Sequence, residues 1–133
     1  MQYTMPIKGG CACGAVRYEA SSAPVFSLIC QCRQCQRISG SGHAAQFALP
    51  AEAVSLTGGI KWFGLTSDGG NAVSSGFCPD CGSPVLKKSS GFTQFLFFHA
   101  ATLDDPGKFS PQFVAWSSSK QPWDFMDPAL PLR

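Results

Sequence analysis

The chain has 133 residues, of which 44% are hydrophobic and 14% are charged, and its formal net charge is +2. This length suits one domain with a sizeable core and is too short for two domains of ordinary size, while the hydrophobic share excludes a disordered chain. The small net charge argues against a nucleic-acid binder that relies on a broad basic face. We therefore expect a single folded domain over residues 1–133.

The apolar segments are short, rich in β-branched and aromatic residues, and mostly bounded by turn signals. In chain order they cover residues 15–20, 24–29, 44–50, 53–58, 60–65, 84–88, 93–100 and 112–116. None of them keeps a helical period over three turns, and one short helix is predicted in the region from Cys32 to Ser39. The sequence therefore predicts a mainly β fold of several small antiparallel sheets with long connections.

Whether the protein works in a reducing or an oxidising compartment decides how its seven cysteines are interpreted. The N-terminal residues MQYTMPIKGG have no apolar run suited to a signal peptide, and no segment is long enough to cross a bilayer. We therefore expect a soluble cytoplasmic protein that has no membrane partner. A reducing cytoplasm makes disulfides rare, so clustered cysteines there are more often metal ligands.

Four of the cysteines stand in two short loops, CACG and CPDCG, and each loop ends in a glycine. Pro79 helps to set the turn of the second loop, and Gly82 can adopt the conformation that closes it. Two such pairs supply four thiolates, which make a complete tetrahedral zinc site. The pattern predicts a structural zinc ion held by a four-cysteine cluster, Cys11, Cys13, Cys78 and Cys81.

The other three cysteines, Cys30, Cys32 and Cys35, lie within six residues, and no fourth cysteine is near them in sequence. We call them the trio. Zinc with three protein ligands keeps one position open for water or a substrate thiol, which is typical of catalytic sites. Arg33 and Arg37 interleave with the trio, would offset its negative charge, and are candidate contacts for an anionic thiol. The sequence predicts a second, catalytic zinc ion here, and hence two zinc ions per chain.

Other interpretations of the trio stay open from the residues alone. Cys32 and Cys35 form a CxxC that suits a redox pair, with Cys30 inert, or a distant histidine could complete the zinc site. An iron–sulfur cluster would need a fourth thiolate from one of the paired loops. Of the two histidines, His43 in a Gly/Ser-rich loop is the better candidate for a substrate contact, because His99 ends an apolar run typical of a core strand.

Two charged pairs have simpler explanations. Asp104 and Asp105 precede Pro106 and are expected to cap a turn or a short helix, although paired carboxylates can also carry out acid–base chemistry. Lys87 and Lys88 are expected to form a solvated edge. Neither pair is predicted to belong to the zinc sites.

Five segments resemble, in order and spacing, the glutathione-dependent formaldehyde-activating enzyme family, which also includes centromere protein V. They extend from about Gly9 to Pro131 and read GGCACGAVRY, CQCRQCQRISG, FCPDCGSPV, ATLDDP, and SSSKQPW followed by DPALP. The resemblance implies an Mss4-like fold, a tent-like arrangement of small antiparallel sheets with zinc. It also implies a structural zinc ion on the four-cysteine cluster and a catalytic one on the trio, in agreement with the spacing.

The activity that the resemblance implies is that of a carbon–sulfur lyase, which reversibly joins formaldehyde or another small aldehyde to a thiol such as glutathione. This chain departs from the common family pattern, in which two histidines and an arginine stand at positions held here by Gln31, Val114 and the pair Ser75 and Gly76. These departures concern substrate recognition and leave the predicted zinc ligands intact.

The alternative function is a non-catalytic zinc-ribbon interaction module, which the same fold allows. A nucleic-acid role, suggested by centromere protein V, is disfavoured because the chain has no basic tail. The expected partners are therefore a small thiol and a small aldehyde, with no nucleic acid.

Overall fold

The computed structural model describes residues 3–133, in which strands are the main element. The strands are β1 (Ile7–Gly10), β2 (Arg17–Ala20), β3 (Phe26–Cys30), β4 (Ala44–Pro50), β5 (Val54–Thr57), β6 (Lys61–Thr66), β7 (Ala72–Phe77), β8 (Pro84–Ser89), β9 (Phe95–His99) and β10 (Phe113–Ala115). The helix α1 (Arg33–Ser39) lies between β3 and β4. Short 3-10 helices occupy Ala51–Ala53, Ala100–Thr102, Pro106–Lys108 and Ser117–Ser119. The predicted mainly β fold and its one short helix are confirmed.

The smaller sheet has three antiparallel strands in the order β1-β2-β5. Gly9 of β1 pairs with Tyr18 of β2, and any side chain at residue 9 would collide with the Tyr18 ring and the Thr102 carbonyl. Glycine here allows the Tyr18 hydroxyl to reach the Thr102 hydroxyl at 2.7 Å. This contact ties the small sheet to the segment that follows β9.

The larger sheet has seven strands in the order β10-β3-β4-β9-β8-β7-β6. Its pairs are antiparallel except for β10 and β3, which are parallel. The parallel pair departs from the antiparallel expectation, because most of the chain separates the two strands and no hairpin fixes their direction. The C-terminal segment continues this edge through a parallel bridge between Val114 and Leu132.

The main core lies between the two sheets. Tyr18 of the small sheet stacks against Phe98 of the large sheet with ring centroids 4.2 Å apart, and Phe47 lies 6.0 Å from Phe98. The other buried members are Ile7, Cys11, Val16, Ala20, Leu49, Cys78, Val85, Leu86, Ala100 and Leu103. Because Cys11 and Cys78 belong to this core, the four-cysteine cluster is anchored by the packing of both sheets.

The opposite face of the large sheet carries a second, smaller core and the helix α1. Period-two alternation along β3, β4 and β9 places one set of side chains on this face. Its buried apolar members are Leu28, Cys30, Cys35, Ala44, Ala48 and Phe97. Two cysteines of the trio are therefore part of the packing between α1 and the sheet.

The helix α1 begins and ends with recognisable caps. The Cys32 sulfur at the N-cap accepts a hydrogen bond from the Cys35 N–H at 3.3 Å, and Gly40 ends the helix with a φ of 70°. Gln36 is buried in the helix and donates to the carbonyl oxygens of Gln31 at 2.7 Å and Ser119 at 2.9 Å. No helix within residues 3–133 is both long and apolar enough to span a bilayer.

Candidate metal centres

The four-cysteine cluster brings together two loops that are distant in sequence. Cys11 and Cys13 follow β1, whereas Cys78 and Cys81 lie in the turn between β7 and β8. The four sulfur atoms lie within 4.8 Å of one another. The Cys11 and Cys13 sulfurs are 3.6 Å apart, and those of Cys13 and Cys78 are 3.7 Å apart. A tetrahedral zinc ion with Zn–S bonds near 2.3 Å requires sulfurs roughly 3.8 Å apart, so the cluster fits this ion.

Both loops turn back at glycines in the left-handed region, where side chains are disfavoured. Gly14 has a φ of 82° and Gly82 a φ of 76°, as the glycine-closed loops predicted. The Val16 N–H points at the Cys11 sulfur at 3.2 Å. Backbone donors of this kind stabilise thiolates, so the loops favour metal binding.

Ser83 links the two loops and favours the thiolate form of Cys81. Its hydroxyl lies 3.2 Å from the Cys81 sulfur and accepts the Ala12 N–H at 3.0 Å. Hydrogen bonds from the Ser83 hydroxyl and backbone lower the pKa of Cys81 to about 5. Ser83 therefore supports the cluster from outside the ligand set, a role that sequence spacing did not indicate.

The trio is assembled by one strand end and one helix start. Cys30 is the last residue of β3, Cys32 is the N-cap of α1, and Cys35 lies in the first turn of the helix. Their three sulfurs lie within 4.8 Å of one another. Cys30 and Cys35 are buried, whereas Cys32 is half-buried. The trio therefore has one ligand nearer to the surface than the other two.

The protons of the trio are unequally shared. Hydrogen bonds from the Cys30 and Cys35 side chains hold the pKa of Cys32 far below its usual range. The pKa of Cys35 is raised instead, by its hydrogen bonds with the Cys30 side chain and then the Cys32 side chain. One thiolate is thus stabilised by two thiols, and a divalent metal would displace the remaining protons when it binds.

Within residues 3–133, no histidine, cysteine or acidic residue joins the trio as a fourth ligand. Neither histidine completes the site. Nδ1 of His43 lies 2.9 Å from Asp124, and the Gln31 side chain donates to the same carboxylate at 3.2 Å. His99 lies on the large sheet opposite Gln46. Neither histidine therefore lies with the trio sulfurs, where a distant histidine ligand was considered.

The two predicted arginine contacts lie at the surface of α1. Arg33 and Arg37 are both exposed, and neither forms an ion pair with an acidic residue of the described chain. Arg33 donates to the Gln36 side chain, which also accepts from Gln121 at 3.1 Å. The Arg33 side chain therefore lies along the N-terminal half of the helix, near the loop that follows β10.

Two expectations about charged pairs need correction. Asp104 does not cap the following turn, because it forms an ion pair with Arg17 at 2.5 Å, and Asp105 makes no capping hydrogen bond. The hydrogen bonds from Arg17 lower the pKa of Asp104. Lys88 is exposed as expected, with its ammonium 4.3 Å from the Trp62 ring centre. Lys87 is half-buried instead, and its ammonium donates to the Gln46 side chain at 3.1 Å.

Lys87 is the site residue that the sequence analysis missed. Its neighbour Gln46 points its amide nitrogen at the Cys35 sulfur at 4.0 Å, so the lysine reaches the trio through one side chain. The available signal was the alternation in LKKS, which places Lys87 and Ser89 on one face of β8 and Leu86 and Lys88 on the other. Adjacent side chains of a strand point to opposite faces of the sheet, so Lys87 and Lys88 cannot both lie on one exposed face.

The fold and the site define a small, mainly β protein with two cysteine clusters, of four and three sulfurs, that could each hold a metal ion. The model of the family described as "Glutathione-dependent formaldehyde-activating enzyme" matches residues 6–119. The chain therefore belongs to the glutathione-dependent formaldehyde-activating enzyme family.

Individual relatives are more distant. A curated protein of Penicillium rubens, named "Putative glutathione-dependent formaldehyde-activating enzyme", is 28% identical over 112 residues, which cover 82% of this chain. The match covers 58% of that relative's length. A crystal structure of a Rhodobacter sphaeroides protein superposes with a TM-score of 0.59 at 19% identity, over 73% of this chain and 87% of the other. The second likeness concerns the fold alone.

Proposed function

We propose that this protein is a zinc-dependent carbon–sulfur lyase that reversibly joins formaldehyde, or another small aldehyde, to a thiol such as glutathione. The observation that carries the proposal is the unequal size of the two clusters. Four sulfurs can saturate a tetrahedral ion, whereas three leave one position for a substrate thiol. Family membership and the name of the Penicillium relative support the substrate class.

In this proposal the clusters have separate roles. Cys11, Cys13, Cys78 and Cys81 hold a structural zinc ion, and Cys30, Cys32 and Cys35 hold the catalytic one. None of the seven cysteines is in a disulfide, which suits a reducing cytoplasm as the proposed working compartment. The chain acts as one domain over residues 1–133, because the loops of the four-cysteine cluster join its N-terminal hairpin to its middle.

Zinc on the trio would supply a Lewis acid that keeps a bound substrate thiol in its thiolate form near neutral pH. The protein's own part is to bind and orient. Arg33 and Arg37 are exposed cations on α1, the helix that carries Cys35, and they are the proposed contacts for the carboxylates of glutathione. The substrate sulfur then attacks the carbonyl carbon, a C–S bond forms, and the C=O electron pair moves to oxygen. That oxygen takes a proton from water, which balances the proton released by the thiol.

The alternative, a non-catalytic zinc-ribbon module, requires a closed second site. The trio gains no fourth ligand of the usual types from residues 3–133, and this favours the enzyme. The direct test is exchange spectroscopy on S-hydroxymethylglutathione in equilibrium with formaldehyde and glutathione. We expect zinc-loaded protein to speed the exchange without changing the equilibrium constant, and Cys35→Ser and zinc-free protein to lose the effect. No acceleration across a panel of thiols and aldehydes would favour the interaction module.

A further inference from the structure

A group of polar side chains lies on the large sheet next to the trio, and we call it the polar floor. It consists of Gln46, Ser75, Lys87 and His99. Strand register places them on one face, because Ser75 is directly opposite Lys87 and Gln46 is directly opposite His99. Lys87 is in turn opposite Phe97, which shares its face of β9 with His99. This is the face that carries α1 and the second core.

Among the described residues, no carboxylate balances the charge of Lys87. Its ammonium has one hydrogen-bond acceptor, the Gln46 side-chain oxygen at 3.1 Å, and lies 5.0 Å from the Phe97 ring centre. No carboxylate in residues 3–133 forms an ion pair with it. A half-buried cation with spare donors and no carboxylate partner attracts a further anion beside the trio sulfurs.

Two further side chains of the polar floor are buried polar groups without a hydrogen-bond partner among the described residues. Ser75 is 9% exposed and His99 is 8% exposed, and neither side chain makes a hydrogen bond within the described residues. Burial, and secondarily the nearby Lys87 charge, lowers the pKa of His99 to about 4. The imidazole is therefore neutral at neutral pH and adds a hydrogen-bonding group without adding charge.

One side chain, Gln46, connects the polar floor to the trio. The Gln46 amide nitrogen is 4.0 Å from the Cys35 sulfur, and its amide oxygen accepts from Lys87. Gln46 is only 2% exposed, so its orientation is fixed by packing. It holds the ammonium on the sheet beside the cysteine sulfurs.

We propose that the polar floor binds the aldehyde oxygen of the reaction, with Lys87 as the main donor to the alkoxide. This inference rests on the proposed function. As the substrate sulfur bonds to the carbonyl carbon, the C=O electron pair becomes a negative charge on oxygen. Lys87 stabilises that charge before a proton arrives from water, and the neutral His99, directly opposite Gln46, adds a second hydrogen-bonding group on the same side of Lys87. Gln46 is a positioning residue, because it acts through Lys87.

A binding experiment tests the floor without relying on turnover. Thioglycolate carries anionic oxygens two bonds from its sulfur-bearing carbon, whereas ethanethiol has no oxygen. We would measure the dissociation constants of both thiols on protein loaded with cobalt(II), whose sulfur charge-transfer absorption reports thiol binding and metal retention. We expect the native protein to prefer thioglycolate by about tenfold or more, as for a hydrogen bond to a charged group.

Matched variants locate the source of that preference. Lys87→Met should remove most of it, whereas Lys88→Met should keep it, because Lys88 points to the opposite face of β8. Lys87→Gln removes the charge but keeps a polar side chain, and it should lower the preference a fewfold if Lys87→Met does not fold. Equal binding of the two thiols to the native protein, or a preference that survives in Lys87→Met, would overturn the inference.

The same variants separate this inference from the proposed function. If the native protein catalyses exchange but shows no thioglycolate preference, the lyase stands and the floor is wrong. If the preference follows Lys87 but no exchange is catalysed, an anion site beside the thiol site exists and the lyase is wrong. If both hold, Lys87→Met should slow exchange about 100-fold while ethanethiol binding is unchanged.

Discussion

The buried His99 makes a quantitative prediction about acid stability. Its pKa is about 4 in the folded protein, against an ordinary value of 6.5. The unfolded chain therefore takes up a proton on this residue at a higher pH than the folded protein does. The contribution of His99 to folding stability is constant above about pH 6.5. It falls as the pH drops below that value and stops falling near pH 4.

The size of the effect follows from the two pKa values. A difference of about 2.5 pKa units corresponds to roughly 3.4 kcal/mol when the loss is complete. Between pH 7.5 and 5.0 the expected share is about 2 kcal/mol. His99→Gln removes this titration, so its free energy of unfolding should fall about 2 kcal/mol less than that of the native protein over this interval.

Urea unfolding followed by circular dichroism at several pH values measures this difference. Both proteins are compared at the same free zinc concentration, so that loss of zinc from the cysteines in acid affects them alike. Equal acid sensitivity in the two proteins would mean that His99 is not a buried neutral group, and the described packing of the polar floor would then be refuted.

Four further predictions concern the metal centres and the arginines. Fully loaded protein should contain about two zinc ions per chain, and a mild chelator should remove the trio's ion first; metal analysis that finds simultaneous loss would contradict the three-ligand site. Cys78→Ser should reduce soluble yield and the melting temperature because it breaks a structural ligand set, whereas Cys35→Ser should stay folded, and thermal melts with the reverse pattern would exchange the two roles. Arg33→Glu should weaken glutathione binding, measured by calorimetry, more than Lys108→Glu does; equal effects would exclude a specific contact. Gly82→Ala forces a side chain into a φ of 76° and should cost about 1 kcal/mol of stability in urea titrations, whereas an unchanged midpoint would mean that the loop does not need glycine.

Local features of the site could be predicted from the sequence. Short spacing between cysteines restricts where their sulfurs can point, so the trio, each cysteine pair of the other cluster and the helix between Cys32 and Gly40 followed from nearby residues. Glycine after each paired loop predicted the left-handed turns at Gly14 and Gly82. In these places the physical cause lies within a few residues of its effect.

Long-range pairing was not predictable in the same way. Arg17 and Asp104 are 87 positions apart, and nothing in either neighbourhood indicates that they meet. The inward side of Lys87 depends on the register of β8, which is shifted by an irregularity at Gly76 and Phe77 in the neighbouring strand. Such contacts are set by tertiary packing, which period-two alternation alone does not determine.

The sequence separation of the two clusters has a consequence for protein synthesis. The trio is complete once Cys35 has left the ribosome, whereas the four-cysteine cluster must wait for Cys81, 46 residues later. At usual rates of translation this delay is roughly 2 to 9 seconds. A nascent chain therefore offers three thiols to cellular zinc before the fourth ligand of the other cluster exists. If both clusters bind zinc as proposed, the trio would acquire its ion first during translation and would also lose it first to a chelator.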